Sequence, residues 1–419
     1  MTQGATPIIV LVGRYPQVTT TFIDRELTAL RHLGIQLEVV ALRRPPADMP
    51  LSGQQRAIAE DVRYLLPVPI GSFVMAHLRF AAACPRRYFG TLAYLLGRRY
   101  PSARARCKSL AHFAEGVALA HLVARDRPRE IYAHFADRAV VVAFVASRLL
   151  GVPYSVSIHA GADIYVHPVL LSEKIDHARR VVTCTAANQA QIASVVGDEL
   201  AAKARYVRHG LELAQYHPST EGHGHPPLVL AVGQLREKKG FAHLVAACAR
   251  LRDRGLEFRC EIVGEGPERP PLESLIEETG LRGTIELRGA LPHDEVVARY
   301  RDAQVFVLPC IRTRDGHVDG IPNVVPEAMA TGLPVVSSDL PAMRELIDDG
   351  VHGLLVAPGD EPALADALAR VLREPALRAR LGRSAREVVT RHFDVEINAR
   401  HLVAEMWPDL LELTSRAPA

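Results

Sequence analysis

The sequence has little of several residue types that would mark a specialised class of protein. Only 5% of its 419 residues are aromatic, with a single tryptophan, and its six cysteines are scattered without a CxxC pair. Scattered cysteines predict reduced thiols in a cytoplasmic protein, and they exclude a disulfide framework and a cysteine-ligated zinc site. No apolar run approaches the roughly 18 residues that a membrane-spanning helix needs. The first apolar run, Ile8 to Val12, has no basic flank and no cleavage-like site, so no signal peptide is expected.

What is present is the composition of a globular enzyme, with 48% apolar and 23% charged residues. The net charge of +3 hides an asymmetry, because residues 1–220 carry +10 and residues 221–419 carry −7. Such a division indicates two domains with different tasks, of which the first would face an anionic partner.

The order of apolar strands and amphipathic helices predicts an α/β protein with two doubly wound domains. The opening residues read as strand, loop, helix and strand, and Phe22, Leu27 and Leu30 form an apolar helical stripe that ends near Gly34. This βαβ rhythm restarts after a segment rich in Pro, Gly and His. A ligand is expected in the cleft between the domains, at the carboxyl ends of the strands. The predicted parts are a first domain over 1–215, a linker over 216–227, a second domain over 228–390 and a helical segment over 391–419.

The most informative segment is DGIPNVVPEAMATG, residues 319–332. Proline at the first position of a helix and glycine just after its end are typical, so Pro326 and Gly332 predict the bounds of a helix. The free N–H groups and the dipole at the start of that helix favour a phosphate. Asp319 and Glu327 flank the turn, and as carboxylates they suit ribose and sugar hydroxyls. The alternative is that Glu327 only complements the helix dipole and that Asp319 is a solvated loop acid.

Two further glycine-bearing loops follow predicted strands. VGQLREKKG, residues 232–240, places Arg236, Lys238 and Lys239 where basic groups at a strand end would meet a diphosphate. The alternative is an ordinary basic loop between a strand and a helix. IVGEGPE, residues 262–268, is a weaker signal, because no acidic residue of a dinucleotide-binding fingerprint accompanies it.

In this order and spacing, the segments resemble the retaining nucleotide-sugar glycosyltransferases of family 4. The resemblance covers nearly all of residues 228–370, through VGQLREKKG, VGEGPE, DGIPNVVPEAMATGLPVV and RELIDDGVHGLLVAPGD. The N-terminal segments GRYPQVTTTFIDRELTALRHLG, YAHFAD and SIHAGADIY are similar to a subgroup that builds exopolysaccharides of the colanic-acid type. The resemblance implies the GT-B fold, in which two Rossmann-like domains face each other across a cleft and a C-terminal helix crosses back to the first domain.

The resemblance also assigns roles to residues. Lys239 would hold the donor diphosphate, Glu327 the ribose and Asp319 hydroxyls of the donor sugar. His159 would reach the donor sugar from the N-terminal domain, unless it is a structural histidine at a strand end. The donor-binding set is Gly233, Gln234, Arg236, Lys239, Gly264, Glu265, Gly320, Ile321, Pro322, Asn323, Val324 and Glu327. The acceptor side is Gly13, Arg14, Thr20, Thr21 and His134.

Three residues depart from the family pattern. Gln234 stands where the family usually has arginine, Asp319 where it has glutamate, and Thr20 where the subgroup often has an acid. Arg236 is a candidate to replace the missing charge. No DxD-type metal site stands in a suitable place, and no nucleophile with a base is evident. The resemblance implies metal-independent retention without a cofactor, by same-face attack in which the departing phosphate accepts the acceptor's proton.

Residues 63–114 contain nine lysines and arginines and no acidic residue. This pattern is typical of helices at an anionic membrane surface, where a lipid-linked acceptor would be met. The alternative is a solvated basic face over ordinary core helices, and nucleic-acid binding has no motif in its favour. Eight aromatic residues are interleaved with the basic ones: Tyr64, Phe73, Phe80, Tyr88, Phe89, Tyr94, Tyr100 and Phe113.

The sequence therefore predicts a cytoplasmic, peripherally membrane-associated glycosyltransferase of the hexosyltransferase type. It would move a sugar from a nucleotide-sugar to a lipid-linked saccharide in exopolysaccharide or capsule biosynthesis. Two alternatives stay open: a sugar-nucleotide epimerase of the same architecture, which needs no acceptor, and a catalytically impaired binding subunit, which Gln234 and Asp319 would explain. No metal, cofactor or nucleic acid is expected.

Overall fold

The computed structural model describes residues 6–218 and 224–411. The chain forms two compact units: unit 1 runs to Arg208 and resumes at Asn398, and unit 2 is His209–Ile397. Part of the predicted linker, residues 219–223, lies outside the described residues. Within the described ranges, every helix is too short or too polar to span a lipid bilayer.

Unit 1 is built on a seven-stranded parallel sheet. In the sheet the strands lie in the order β3-β2-β1-β4-β5-β6-β7, so the order reverses between β1 and β4. Ligands of open α/β sheets bind outside the carboxyl ends of the strands at such a point. The strands are β1 (Ile8–Arg14), β2 (Leu37–Arg43), β3 (Arg63–Tyr64), β4 (Glu130–His134), β5 (Tyr154–Ile158), β6 (Val181–Thr183) and β7 (Ala204–Tyr206).

The helices of unit 1 cover the sheet, and α6 is buried along nearly its whole length because its residues are almost all apolar. The first helix ends as predicted, with Gly34 at φ +82° just beyond Leu33. The helices are α1 (Thr21–His32), α2 (Gly53–Asp61), α3 (Ile70–Ala83), α4 (Pro85–Leu96), α5 (Ala103–Val123), α6 (Arg138–Leu150), α7 (Ala162–Tyr165), α8 (Leu171–Asp176), α9 (Ala186–Val196) and α10 (Asp198–Ala201).

Unit 2 is built on a six-stranded parallel sheet. Its order is β10-β9-β8-β11-β12-β13, with the reversal between β8 and β11. Its strands are β8 (Leu228–Val232), β9 (Arg259–Val263), β10 (Ile285–Gly289), β11 (Val305–Leu308), β12 (Val335–Ser338) and β13 (Leu354–Val356). Its helices are α11 (Phe241–Asp253), α12 (Arg269–Glu278), α13 (His293–Asp302), α14 (Val324–Ala330), α15 (Pro341–Arg344), α16 (Glu361–Arg373) and α17 (Pro375–His392). The last helix, α18 (Val395–Met406), belongs to unit 1 from Asn398 onwards. Short 3-10 turns occur at Leu213–Gln215, Glu237–Lys239 and Pro408–Leu410.

The compact units divide the chain at other residues than the predicted bounds. Residues 209–215 and 391–397 both belong to unit 2, because Leu211 pairs with the end of α17. The Leu211 N–H donates to the Phe393 carbonyl at 2.6 Å, and the Val395 N–H donates to the Leu211 carbonyl at 3.1 Å. Beyond α18, Trp407 is fully buried in unit 1, where its Nε1 donates to Glu130 Oε2 at 3.2 Å.

Candidate functional site

At the reversal of the unit 2 sheet, backbone hydrogen bonds join the loops that follow β8 and β9. The Gly233 N–H donates to the Val263 carbonyl and the Leu235 N–H donates to the Glu265 carbonyl, both at 2.9 Å. Gly264 has φ +146°, and a Cβ there would lie 1.9 Å from the Gly233 carbonyl oxygen. Only glycine permits this approach, so the two glycine loops predicted from the sequence are in direct backbone contact.

Two lysines of the loop after β8 hold one carboxylate. Lys238 Nζ lies 2.7 Å from Asp319 Oδ1, and Lys239 Nζ lies 2.7 Å from Asp319 Oδ2. All three side chains are mostly buried, with between 11% and 13% of their surface exposed. The alternative in which Asp319 is a solvated loop acid is therefore wrong.

The protonation states of this cluster follow from its geometry. Burial alone would raise the pKa of Asp319, but the ammonium groups of Lys239 and Lys238 outweigh burial and lower that pKa to about 2. Burial alone would lower the pKa of Lys239, but the Asp319 carboxylate outweighs it and raises that pKa. The cluster is thus ionised at neutral pH, with two positive charges against one negative charge.

His317 and Cys310 lie against the cluster. Lys238 Nζ is 3.1 Å from His317 Nε2, and this ring nitrogen accepts because an ammonium group can only donate. Burial, reinforced by Lys238, lowers the pKa of His317, which favours the neutral ring. Cys310 Sγ lies 3.9 Å from Asp319 Oδ2, and burial raises the pKa of this thiol to about 12, so it is not a nucleophile at neutral pH.

Glu327 is a buried carboxylate on the first turns of α14, with 2% of its surface exposed. The hydroxyl of Tyr300, a fully buried residue of α13, donates to Glu327 Oε2 at 3.2 Å. A buried carboxylate in this position can accept hydrogen bonds from hydroxyl groups, and the tyrosine fixes its orientation.

The helix that carries Glu327 begins earlier than the sequence indicates. It starts at Val324, so the prediction that Pro326 is the first helical residue is wrong by two positions. The Val325 N–H already donates to the Pro322 carbonyl at 2.9 Å. A proline at the third position is tolerated because the first N–H groups of a helix have no partner within it. The predicted end is correct, since Gly332 has φ +74° and follows the last turn.

The other residues predicted to bind the donor lie along the same loops. Gln234 and Arg236 are exposed while Leu235 between them is buried, so both side chains point to the solvent side of their loop. The Glu265 carboxylate is ion-paired with Arg269 at 2.7 Å on the surface. Asn323 Oδ1 lies 3.1 Å from His209 Nδ1. Gly320 and Pro322 are buried, and Ile321 and Val324 are half-buried.

In unit 1 the structure brings two predicted residues into contact. His134 is the last residue of β4 and His159 directly follows β5, and both are buried. His134 Nδ1 lies 3.2 Å from His159 Nε2, with the rings parallel to within 3°. On the other side of His134, Nε2 lies 3.6 Å from Glu26 Oε1, which accepts a hydrogen bond from Tyr132 at 2.9 Å.

The remaining residues predicted for the acceptor side lie at the junction of β1 and α1. Gly13 and Arg14 are the last two residues of β1, and Thr21 is the first residue of α1. Thr20 is buried, and its Oγ1 accepts from the Gln17 N–H at 2.9 Å and donates to the Gln17 carbonyl at 3.0 Å. Thr20 therefore shapes the loop by local hydrogen bonds. The assigned roles of all these residues stay predictions.

Several members of these clusters were not predicted, among them Glu26, Tyr300 and His317. A signal for Glu26 exists, because the helical period places it one turn after the buried Phe22, and a carboxylate beside a buried apolar residue is unusual. Tyr300 and His317 lie on a helix and a loop without any motif, so only the folded chain brings them to Glu327 and Lys238.

The basic stretch of residues 63–114 corrects one expectation. Most of its aromatic side chains belong to the core of unit 1: Phe80 and Phe113 are buried in it, and Tyr88, Tyr94 and Tyr100 pack against this core. Of the eight, all within the described residues, Phe89 alone is largely exposed, at 56%. The exposed apolar side chains are mostly aliphatic, namely Ile70, Val74, Met75, Leu78 and Leu96 with Phe89. The exposed basic ones are Arg79, Arg86, Arg87, Arg99, Arg104, Arg106 and Lys108. Together these side chains of α3, α4, α5 and the adjoining loops are termed the basic apolar surface.

Comparisons with known proteins cover most of the chain. Residues 215–388 match the family model described as Glycosyl transferases group 1. The chain is 28% identical, over 93% of its own length and 97% of the relative, to a Salmonella typhimurium protein that is named as a colanic acid biosynthesis glycosyltransferase. These matches confirm the resemblance that the sequence motifs carry.

Solved structures confirm the fold. Sucrose-phosphate synthase from Thermosynechococcus elongatus matches with a TM-score of 0.71 and 19% identity, over 97% of this chain and 99% of that one. Anabaena HepE in complex with UDP-glucose matches with a TM-score of 0.68 and 16% identity, over 96% of this chain and 99% of that one. Both are GT-B proteins, so the predicted GT-B class is correct.

Proposed function

We propose that the chain, whose residues 215–388 match the Glycosyl transferases group 1 model, is a retaining, metal-independent glycosyltransferase of exopolysaccharide biosynthesis. It moves a hexosyl group from a nucleotide-sugar to a lipid-linked saccharide and needs no further cofactor. The observation that carries the proposal is the pair of mostly buried lysines around Asp319 at the reversal point of the unit 2 sheet. A relative named for colanic acid biosynthesis and the UDP-glucose complex of Anabaena HepE support it.

Lys238 and Lys239 provide positive charge for the donor diphosphate. Asp319 neutralises one of their two charges, so the cluster keeps an attraction for an anion. When a diphosphate binds, its oxygens replace the carboxylate oxygens as hydrogen-bond acceptors, and Asp319 becomes an acceptor for hydroxyls of the sugar. Fixed positive charge stabilises the leaving diphosphate most strongly as negative charge develops on it.

The transfer step is a same-face substitution. The acceptor hydroxyl attacks the anomeric carbon from the side on which the diphosphate leaves, the bond from that carbon to the phosphate oxygen breaks, and the glycosidic bond forms. The proton of the acceptor hydroxyl passes to the departing phosphate oxygen, so the atoms and charges balance. Glu327, oriented by Tyr300, accepts hydrogen bonds from the ribose hydroxyls and so fixes the donor.

A panel of nucleoside diphosphates and their sugars tests the donor site without metal. Ligand at about 100 times its Kd should stabilise the protein by roughly 2.7 kcal/mol, which is a rise in Tm of several degrees. We expect the rise with one base, and its loss in Lys239→Met. Arg254→Met is the matched control, because Arg254 forms an exposed ion pair with Asp366 elsewhere in unit 2.

Product analysis then separates the alternatives. Transfer of the sugar to a lipid-linked saccharide, with the anomeric configuration kept, supports the proposal. Release of free nucleotide and an altered sugar without any acceptor would identify an epimerase. A panel without any thermal shift, or donor binding without turnover, would identify a binding subunit.

The second part of the proposal concerns localisation. The basic apolar surface docks the cytoplasmic protein on the anionic inner face of the cell membrane, where a lipid-linked acceptor resides. Each basic residue near anionic lipid contributes about 1 kcal/mol. Aliphatic side chains such as Leu78, which is 61% exposed, can enter the boundary between headgroups and acyl chains.

Vesicle co-sedimentation tests this docking, with phosphatidylcholine vesicles that contain or lack phosphatidylglycerol. We expect binding only with the anionic lipid, weakened about ten-fold by Met75→Glu or Leu78→Glu, since burial of such a side chain contributes about 1.5 kcal/mol or more. Val351→Glu, at an exposed apolar position of unit 2, should bind as the wild type does. Equal sedimentation of all variants would show that the surface is merely a solvated basic face.

A further inference from the structure

Three polar side chains from separate elements of unit 1 lie in a row, which we call the polar row. Glu26 comes from α1, His134 from the end of β4 and His159 from the segment after β5. The distances are 3.6 Å from Glu26 Oε1 to His134 Nε2 and 3.2 Å from His134 Nδ1 to His159 Nε2. The elements β1, α1, β4 and β5 surround the reversal point of the sheet. The polar row therefore lies where a doubly wound domain binds its ligand.

Neighbouring aromatic residues hold the polar row in place. His134 is fully buried and His159 is 4% exposed. The rings of Phe22 and Phe135 lie 4.7 and 4.8 Å from the His159 ring, centroid to centroid. Phe135 has φ +68°, a conformation rare for a bulky residue, and its N–H is fixed to the Ser157 carbonyl at 2.8 Å. Such strain persists only where the surrounding structure imposes it, and it is common at functional sites.

The hydrogen-bonding capacity of the two imidazole rings limits which proton arrangements the polar row can adopt. In a neutral imidazole one nitrogen donates and the other accepts. At 3.6 Å an ionised Glu26 attracts the proton of His134 to Nε2 by its charge. His134 Nδ1 then accepts from His159 Nε2, and the His159 lone pair lies on Nδ1. A protonated Glu26 lacks this attraction, which favours the reverse arrangement, in which His159 carries its proton on Nδ1.

Glu26 can take either form near neutral pH. Burial raises its pKa to about 7, although the hydrogen bond from Tyr132 acts in the opposite direction. The titratable groups that face it are Tyr132 and His134 from β4 and Tyr15 from the loop after β1. Burial raises the pKa values of both tyrosines as well, so these hydroxyls stay protonated.

We infer that Glu26 and His134 are positioning residues for His159, and that the proton on Glu26 sets which ring nitrogen His159 offers to its ligand. With Glu26 ionised, His159 presents an acceptor for a sugar hydroxyl, and with Glu26 protonated it presents a donor. The consequence for catalysis rests on the proposed function, in which His159 contacts the transferred sugar.

Nitrogen-15 NMR of the imidazole rings in the full-length protein tests the tautomers without any activity. In the wild type we expect His159 Nδ1 to change from a lone-pair-bearing to a protonated nitrogen as the pH falls from 8 to 6, while Nε2 changes in the opposite sense. In Glu26→Gln the tautomer ratio should not change over this range. Tautomers that are the same in both proteins at every pH, or a His159 ring protonated on both nitrogens, would overturn the inference.

Glu130→Gln is the matched control, because Glu130 is a fully buried glutamate of unit 1 whose pKa is likewise raised by burial. It contacts Trp407 and Ser155 and not the histidine pair. The pH profile of kcat/KM should show an inflection near 7 that Glu26→Gln loses and Glu130→Gln keeps. If His159→Ala leaves transfer unchanged, the proposed role of His159 in catalysis fails. The NMR result still decides whether Glu26 controls the tautomer of His159.

Discussion

Replacing Asp319 by asparagine removes the carboxylate that pairs with two mostly buried lysines. The amide is close in size to the protonated carboxyl group, so the change tests charge rather than packing. Lys238 and Lys239 each lose an ion pair of 2.7 Å in a site that is nearly shielded from water. We expect Asp319→Asn to destabilise unit 2 and to leave unit 1 unchanged.

The magnitude follows from the pKa of Asp319. A fall from 3.8 to about 2 corresponds to about 2.4 kcal/mol in favour of the folded state. Because the pKa is lower in the folded protein, this stabilisation is complete above the ordinary aspartate pKa and is lost as the pH falls towards 2. By pH 3, about 1.1 kcal/mol of it is lost.

Hydrogen exchange resolves the two units, since exchange of core amides reports the local free energy of opening. At pH 7 the amides of β8 and β11 should exchange roughly sixty-fold faster in Asp319→Asn than in the wild type, which is about 2.4 kcal/mol expressed as a rate ratio. At pH 3 the ratio should fall to roughly ten-fold. Asp366→Asn, which removes an exposed ion pair of the same unit, should change the rates by about two-fold or less.

Two results would refute this reasoning. Equal exchange rates at pH 7 would mean that the lysines do not depend on Asp319 for their charge balance. A rate ratio that stays the same from pH 7 to pH 3 would mean that the effect is steric, because an electrostatic effect must shrink as the wild-type carboxylate takes up its proton.

Two further predictions concern unit 2. Glu327→Gln should keep the fold, because the Tyr300 hydroxyl can donate to an amide oxygen. It should lower kcat/KM at least about ten-fold, because a hydroxyl-binding group loses its charge. Full activity in a transfer assay would contradict the role of Glu327. Gly240→Ala and Gly255→Ala add a Cβ at nearly the same backbone angle, φ +69° and +71°. The Cβ at position 240 would lie 1.9 Å from the Pro309 carbonyl oxygen, whereas the Cβ at position 255 would meet nothing within 4 Å. Chemical denaturation should therefore show a loss of about 1 kcal/mol for Gly255→Ala and several for Gly240→Ala, and equal losses would show that the loop can move aside.

Much of the fold could be predicted because its signals are local. Apolar periodicity marks strands and helices, and glycine is required where the backbone turns to positive φ, as at Gly34 and Gly332. The alternation of strand and helix then implies parallel sheets, whose strand ends carry the loops with the basic and acidic residues. The loops that hold Lys239, Asp319 and Glu327 were therefore identifiable from residue order alone.

The start of α14 was less predictable, because proline, although most common at the first position, is tolerated at the other early positions of a helix. The aromatic residues of 63–114 illustrate a second limit. Sequence places Phe80 and Phe113 among basic residues, but packing against the core of unit 1 decides which side chains remain exposed. Exposure depends on neighbours that are distant in the chain, so composition alone cannot assign it.

Local patterns in the chain specify the two doubly wound domains, the order of their loops and the kinds of residue on those loops. The contacts between side chains come from folding: Lys238 and Lys239 share Asp319, and Glu26 lies next to His134. The reason is that ion pairs and pKa values depend on distances of a few ångströms and on exclusion of water. Both quantities arise only when strands remote in sequence bring their carboxyl ends together.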